Sequence, residues 1–263
     1  MSFDFPLILL AVIVFSGMVT VVDFIFCLCK HEPLFEKKKR PMIIEYARSF
    51  FPVLLLVFVI RSFLFQPYRV PTGSLEPTVM PGDFILVNQF DYGVRFPVWN
   101  KKIFSVNEPK RGDIALLPYP VDHAFTFVKR VIGLPGDHIS YIHKTLYING
   151  KKQPKELVSS VTQLSDYGQL VTYQKYQENL MGVKHDIYVR ADQPDNNFYN
   201  LIVPKNDYFV MGDNRDDSDD SRYWGFVQER DFIGRAMVVL LNWDSQATHW
   251  YNTIRWHRIG NAL

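Results

Sequence analysis

Cysteine is scarce in this 263-residue chain: there are two, Cys27 and Cys29, and none beyond. They stand one residue apart at the end of an apolar stretch, where they are poorly placed to pair with each other. They read as small apolar residues rather than a metal site. The rest of the chain needs no disulfide, and cysteine usage therefore assigns no compartment. A charge excess is also missing. The formal net charge is +2, and from Gln66 onward 22 basic residues face 22 acidic ones. That balance gives no electrostatic reason to bind nucleic acid. Past Phe65 there is no long helical period, and nowhere is there an internal repeat or a low-complexity tract. These absences argue against a helical bundle and a repeat array.

Two long apolar runs stand at the N-terminal end. Pro6 to Cys29 is almost unbroken and carries one acid, Asp23. Roughly 24 residues of helix span a ~30 Å hydrocarbon core. A cleaved signal peptide fits poorly, because only Asp4 is charged before the run and no basic segment precedes it. The second run is Ser49 to Phe65, near the short limit for a span, with Arg61 inside it. Arg61 must reach an interface or face protein; a half-inserted helix is the alternative. Between the runs, residues 30–48 hold six basic residues, with Lys37-Lys38-Lys39-Arg40 at their centre. A solvated basic loop of that length is expected on the cytoplasmic side. Both termini then lie outside the cytoplasm, and in a double-membrane bacterium the large domain faces the periplasm.

From residue 66 on, short β-prone runs alternate with Pro and Gly. Strands are expected at Phe84 to Val87, Asp113 to Leu117, Phe125 to Ile132, Phe209 to Met211 and Ala236 to Leu241. Ile139 to Ile142 and Leu146 to Ile148 read as a hairpin around His143-Lys144-Thr145, with Asn149-Gly150 as the next turn. The expected fold is mostly β: an antiparallel β-sheet domain over 66–263, with a β-rich insertion at about 153–205, preceded by two transmembrane helices at 1–29 and 49–65. Trp243, Trp250, Tyr251 and Trp256, with Arg255 and Arg258, suit a membrane interface and core packing equally.

Three stretches could carry chemistry. Val70-Pro71-Thr72-Gly73-Ser74-Leu75-Glu76-Pro77-Thr78 places a serine in a turn shaped by two prolines and a glycine. Such a turn holds a hydroxyl still and leaves a backbone N–H beside it, as a nucleophile requires. The plainer reading is a bend at the end of a helix. Seven histidines are present, and none has a surround that marks it as the base. Lys129 is the better candidate, in Phe125-Thr126-Phe127-Val128-Lys129-Arg130-Val131-Ile132. Desolvation disfavours a lysine's charge, and a neutral amine accepts a proton. Alternation puts Lys129 and Arg130 on opposite faces, so one of the two is expected to face inward.

The third stretch, Gly212 to Gly225, crowds five aspartates, two serines and two arginines into a loop. Alternating oxygens suit calcium, yet the EF-hand glycine and final glutamate are missing. An ion-paired scaffold built on Arg215 and Arg222 is the other reading. Such a loop supplies a hydroxyl, such as Ser218, to orient the lysine.

Together these stretches resemble the type I signal peptidase family, the bacterial leader peptidases that use a Ser–Lys dyad. Pro71-Thr72-Gly73-Ser74-Leu75-x-Pro77-Thr78 matches the nucleophile box, and Arg111-Gly112-Asp113-Ile114 matches a structural strand box. Lys129-Arg130 with Gly133-Leu134-Pro135-Gly136-Asp137 matches the lysine box. Gly212-Asp213-Asn214-Arg215 through Ser218, Asp220, Ser221 and Arg222 matches the last. The resemblance implies Ser74 as nucleophile and Lys129 as general base. It implies an oxyanion hole from the Ser74 N–H and the Thr72 hydroxyl, with Ser218 orienting Lys129. Asp213, Arg215, Asp220 and Arg222 would support that loop. Val70, Leu75, Val79, Phe127 and Val128 would line shallow apolar pockets for small residues. Substrates would be the signal peptides of exported preproteins, cleaved at the bilayer beside the secretion translocon. No metal, organic cofactor or nucleic acid is implied. The family usually has methionine where Leu75 stands and often serine where Thr72 stands. An inert membrane-anchored binding protein is the alternative; it should have lost Ser74 or Lys129, and both are present.

Overall fold

The computed structural model of this chain describes residues 5–30, 41–96, 101–123, 125–164, 168–244 and 253–263. The chain forms two compact units, Met1–Phe65 with Arg95–Ile103, and Gln66–Val94 with Phe104–Leu263. The basic run Lys37–Arg40, Trp250 and Tyr251 lie outside the described residues.

The first unit is built on two helices, α1 (Phe5–Lys30) and α2 (Met42–Val59), the latter continued by a π turn over Ile60–Leu64. Both are long and apolar enough to cross a membrane, over Leu7–Cys29 and Met42–Leu64. The second is longer than expected, starting seven residues ahead of Ser49. Met42, Ile43 and Ile44 extend its apolar run, and the charge of Arg48 is matched by Asp23 of α1 at 3.2 Å. At 23 residues it exceeds the short limit that the sequence suggested. The helices approach closely at Gly17, where a Cβ would sit 2.9 Å from the Phe51 ring.

The second unit is antiparallel β. Its seven-stranded sheet runs in the order β1 (Phe65–Arg69), β2 (Asp83–Asn88), β16 (Gly234–Asn242), β5 (Ile114–Pro118), β6 (Thr126–Gly133), β14 (Asp207–Met211) and β15 (Val227–Gln228). A four-stranded sheet orders β13 (Phe198–Ile202), β7 (His138–Ile142), β8 (Thr145–Ile148) and β9 (Lys151–Lys152). A three-stranded sheet is formed by β10 (Lys155–Leu164), β11 (Leu170–Leu180) and β12 (Val183–Val189); a separate ribbon, most of it in the first unit, pairs β3 (Val94–Arg95) with β4 (Lys102–Phe104). The expected strands are all present: β5 and β6 keep their expected length but start one residue later, and the others are one to three residues longer. Ile142 pairs with Thr145, so the first hairpin closes on His143 and Lys144 alone. Both residues have positive φ, as do Asn149 and Gly150 in the next turn. Two positive φ values in a two-residue loop match the right-handed twist of the strands they join.

The stretch 153–205 is not one body. β10 to β12 make their own sheet, while β13 pairs with β7.

Strand β6 is central, between β5 and β14, and is covered on both faces. Val128 belongs to an apolar cluster with Val70, Leu75, Val79, Ile85 and Ile114. Val131 packs with Leu117, Tyr208 and Phe232. Ile132 packs with Ile139, Leu146 and Phe209. Alternation required one of Lys129 and Arg130 to face inward; because the strand is covered on both faces, both are buried, at 2% and 4% exposed. Trp243 and Trp256 are both exposed.

Candidate active site

The serine turn follows β1 and is pinned from two directions. Leu75 and Val79 sink into the core. The amide of Glu76 donates to the Gly73 carbonyl at 3.0 Å, and that of Val79 donates to Leu75 at 3.0 Å. From outside the turn, the Asn214 amide donates to the Ser74 carbonyl at 3.1 Å, and Asn214 Nδ2 donates to the Gly73 carbonyl at 3.2 Å. Ser74 itself is half-buried and Thr72 is exposed.

Lys129 reaches the same place from β6. Its Nζ donates to Ser218 Oγ at 2.9 Å and lies 5.2 Å from the centre of the Phe127 ring. Gly212 joins the two halves. A Cβ built there would overlap both the Ser218 hydroxyl and the Ser74 carbonyl oxygen. A side chain would drive these groups apart, so the close approach requires glycine. Burial brings the Lys129 amine down to about 8, against the upward pull of Asp220, Asp219 and Asp213. Two of those acids, Asp220 and Asp213, are held by cations of their own. Asp220 accepts from Arg222 Nε and Nη2 at 2.8 Å each and from the Gly212 amide at 2.9 Å. Burial raises the Asp220 carboxyl, but Arg222, Lys129 and the Gly212 amide together more than offset it and hold it below its ordinary value. Asp213 is likewise pushed up by burial and brought below its ordinary value by Arg130, His185 and the Thr78 hydroxyl together.

The loop from Gly212 to Trp224, ending in the short helix α3 (Ser221–Trp224), is an ion-paired scaffold, but its pairs differ from those expected. Only Arg222 neutralises an acid within the loop. Asp213 pairs with Arg130 at 2.7 Å through both carboxylate oxygens and accepts from Thr78 Oγ1 at 2.6 Å. Asp216 meets Lys144 at 3.1 Å, and Asp217 meets Arg190 at 3.0 Å. Arg215 leaves the loop and forms a bidentate pair with Glu178 of β11, both side chains being fully buried. Four of the loop's carboxylates are thus matched by protein cations, which favours the scaffold over a calcium site.

Val70, Leu75, Val79 and Val128 meet in one apolar cluster. Phe127 does not join them; it packs against another cluster and stacks on Tyr119 at 4.5 Å. The roles of Gly212, Asn214, Arg130, Thr78 and Glu178 were not read from the sequence. Gly212 and Asn214 stood inside the quoted loop and Arg130 beside the lysine. Nothing marked Glu178, which sits in a polar strand 37 residues from its partner.

The family model described as "Signal peptidase, peptidase S26" matches residues 43–243. A signal peptidase I from Pseudomonas fluorescens is 38% identical over 274 residues, covering 92% of this chain and 94% of its own length. One from Pseudomonas aeruginosa is 37% identical with the same coverage, and one from Haemophilus influenzae is 31% identical over 83% of this chain and 75% of its own. A solved signal peptidase I from Enterococcus faecalis V583 is 35% identical and covers 50% of this chain and 98% of its own; its TM-score of 0.30 is too low to bear on the fold. The family model over residues 43–243 and relatives 37–38% identical over 92% of this chain place it in the signal peptidase family, peptidase S26, a family of serine peptidases.

Proposed function

We propose that this chain cleaves N-terminal signal peptides from exported preproteins after small residues, with Ser74 as nucleophile and Lys129 as general base. The observation that carries this is the buried Lys129 amine, lowered to about 8 and bonded to Ser218, beside the loop that brackets the Ser74 backbone. At pH 7 roughly a tenth of such amines are neutral, about 300-fold more than for a free lysine.

In acylation, neutral Lys129 takes the Ser74 hydroxyl proton as Oγ attacks the scissile carbonyl carbon. The Ser74 N–H and the Thr72 hydroxyl stabilise the oxyanion. The intermediate collapses, the C–N bond breaks, and the lysine ammonium returns the proton to the leaving amine, which is the new N-terminus of the mature protein. The signal peptide stays esterified to Ser74. Lys129, neutral again, takes a proton from water, the hydroxyl oxygen attacks the ester, and Ser74 recovers its proton. Asp213, Arg215, Asp220 and Arg222 hold the loop during both steps. Val70, Leu75, Val79, Phe127 and Val128 shape the apolar pockets that favour small residues.

The two apolar helices anchor the enzyme in the inner membrane, where its substrates are tethered by their own apolar segments. The basic loop 30–48 is cytoplasmic and the β unit periplasmic, on the side where preproteins leave the secretion translocon. Purified full-length protein in detergent should process a secretory precursor, and Ser74→Ala should not; processing by that variant would sink the nucleophile assignment. Reporter fusions after Lys39 and after Gly150 should report opposite sides of the membrane. Both on one side would rule out two spans.

A further inference from the structure

We propose that the sheet of β10 to β12 keeps the reacting groups in register, and that Glu178 is a positioning residue for the Ser74–Lys129 pair. The proposal rests on the dyad reading above.

The loop beginning at Gly212 has two sides. One side holds the chemistry: Asn214 brackets the Gly73 and Ser74 carbonyls, and Ser218 receives the lysine amine. The other side is held by the inserted sheet. The Tyr188 amide donates to the Asp213 carbonyl at 2.9 Å and the Arg215 amide donates to the Tyr188 carbonyl at 2.9 Å, so β12 runs as a parallel partner to Asn214. The Arg190 amide donates to Asp216 at 2.7 Å, and Tyr173 Oη donates to Asp217 at 2.5 Å. Asp217 directly precedes Ser218.

The deepest tie is Glu178, fully buried and bidentate to fully buried Arg215. His185 Nε2 lies 3.4 Å from Glu178 and 3.9 Å from Asp213. Asp213 clamps Arg130, the neighbour of Lys129, and accepts from Thr78 of the serine turn. A contiguous set of polar side chains therefore links β11 to both halves of the site. Apolar packing alone would tolerate small slides between sheet and loop. A fork-to-fork carboxylate–guanidinium pair fixes direction as well as distance. Without Glu178, Arg215 would be a buried charge lacking its counter-ion, a costly arrangement relieved only if the loop moves to hydrate it. Such a movement would carry Asn214 and Ser218 with it.

The test uses the full chain in detergent, a secretory precursor, and kcat and KM measured separately across pH. Glu178→Gln keeps the shape and removes the charge. Its kcat should fall about 10- to 100-fold, the cost of a misplaced catalytic group, with KM nearly unchanged. The rising limb of kcat against pH should move to higher pH, because a loosened loop lets water reach Lys129. Glu178→Asp should recover part of the loss. Tyr173→Phe keeps the ring and removes one bond to Asp217; its kcat should fall about 3-fold with a smaller shift of the same sign. Lys175→Ala, on the same strand but partly exposed and paired with Asp186 of β12 rather than with the loop, should match wild type.

A folded Glu178→Gln with wild-type kcat and pH limb overturns the proposal. So does a Lys175→Ala loss as large as that of Glu178→Gln, which would signal general loosening. If Glu178→Gln does not fold, wild-type behaviour of Tyr173→Phe overturns it. Ser74→Ala and Lys129→Ala run alongside. If they are inactive while the positioning variants match wild type, only this inference falls; if they cleave, the dyad reading falls and takes this inference with it.

Discussion

Replacing Lys129 with methionine should make the protein more stable while abolishing its activity. The side chain is 2% exposed, and burial lowers its amine from an ordinary 10.5 to about 8. Between those values the unfolded chain holds a proton that the folded chain has lost, so stability rises with pH across that window. Below about 8 the folded state bears the full cost of a buried ammonium, roughly 3 kcal/mol at about 1.4 kcal/mol per pH unit. Methionine has similar length and no charge. It forfeits the hydrogen bond to Ser218, a loss of about 1 kcal/mol. The net gain at pH 7 is about 2 kcal/mol, which raises Tm by about 4–8 °C for a unit of this size. Thermal unfolding of the full chain in detergent, at pH 7 and again above pH 10.5, checks it. The gain should be present at pH 7 and gone at the higher pH. A Lys129→Met protein less stable than wild type at pH 7, or a gain indifferent to pH, would refute the reasoning that burial sets the state of this amine.

Other outcomes follow from the same geometry. The single-turnover rate of acylation should rise with pH and level off above about 8, where Lys129 has lost its proton; a limb that vanishes on substituting a histidine would point to another base. Ser218→Ala removes the partner of the lysine amine and should lower kcat about 10- to 100-fold, with stability changed by no more than about 1 kcal/mol; titration of kcat on the folded variant decides. Gly212→Ala sets a methyl against the Ser74 carbonyl and the Ser218 hydroxyl, and should cost about 1–3 kcal/mol of stability together with most of the activity, measured by denaturant unfolding and precursor cleavage.

Much of the catalytic sheet was legible because its strands are short, apolar and bounded by turn residues. Asn149-Gly150 marked a hairpin turn through backbone chemistry alone, and the structure gives both residues positive φ. The helices were legible from length and composition, but α2 began early, since pairing Arg48 with Asp23 is a contact between segments that no local pattern records. Strands β10 to β12 were hidden for a related reason. Their sheet carries many polar residues along ten or so positions, so apolar alternation is weak. Ser74, Lys129 and Ser218 stood out by residue type and order; the contacts that hold them did not. Alternation could not say which of Lys129 and Arg130 faces inward, because it assumes one wet face, and β6 buries both. The partner of Arg215 lies on another sheet, beyond the reach of spacing.

The central claim is that Ser74 and Lys129 together perform the cleavage. The most direct measurement is the rate at which purified full-length wild type, Ser74→Ala and Lys129→Met convert one secretory precursor to mature protein under identical conditions. The account predicts steady processing by wild type and no mature product from either folded variant. Appreciable product from either one would contradict it.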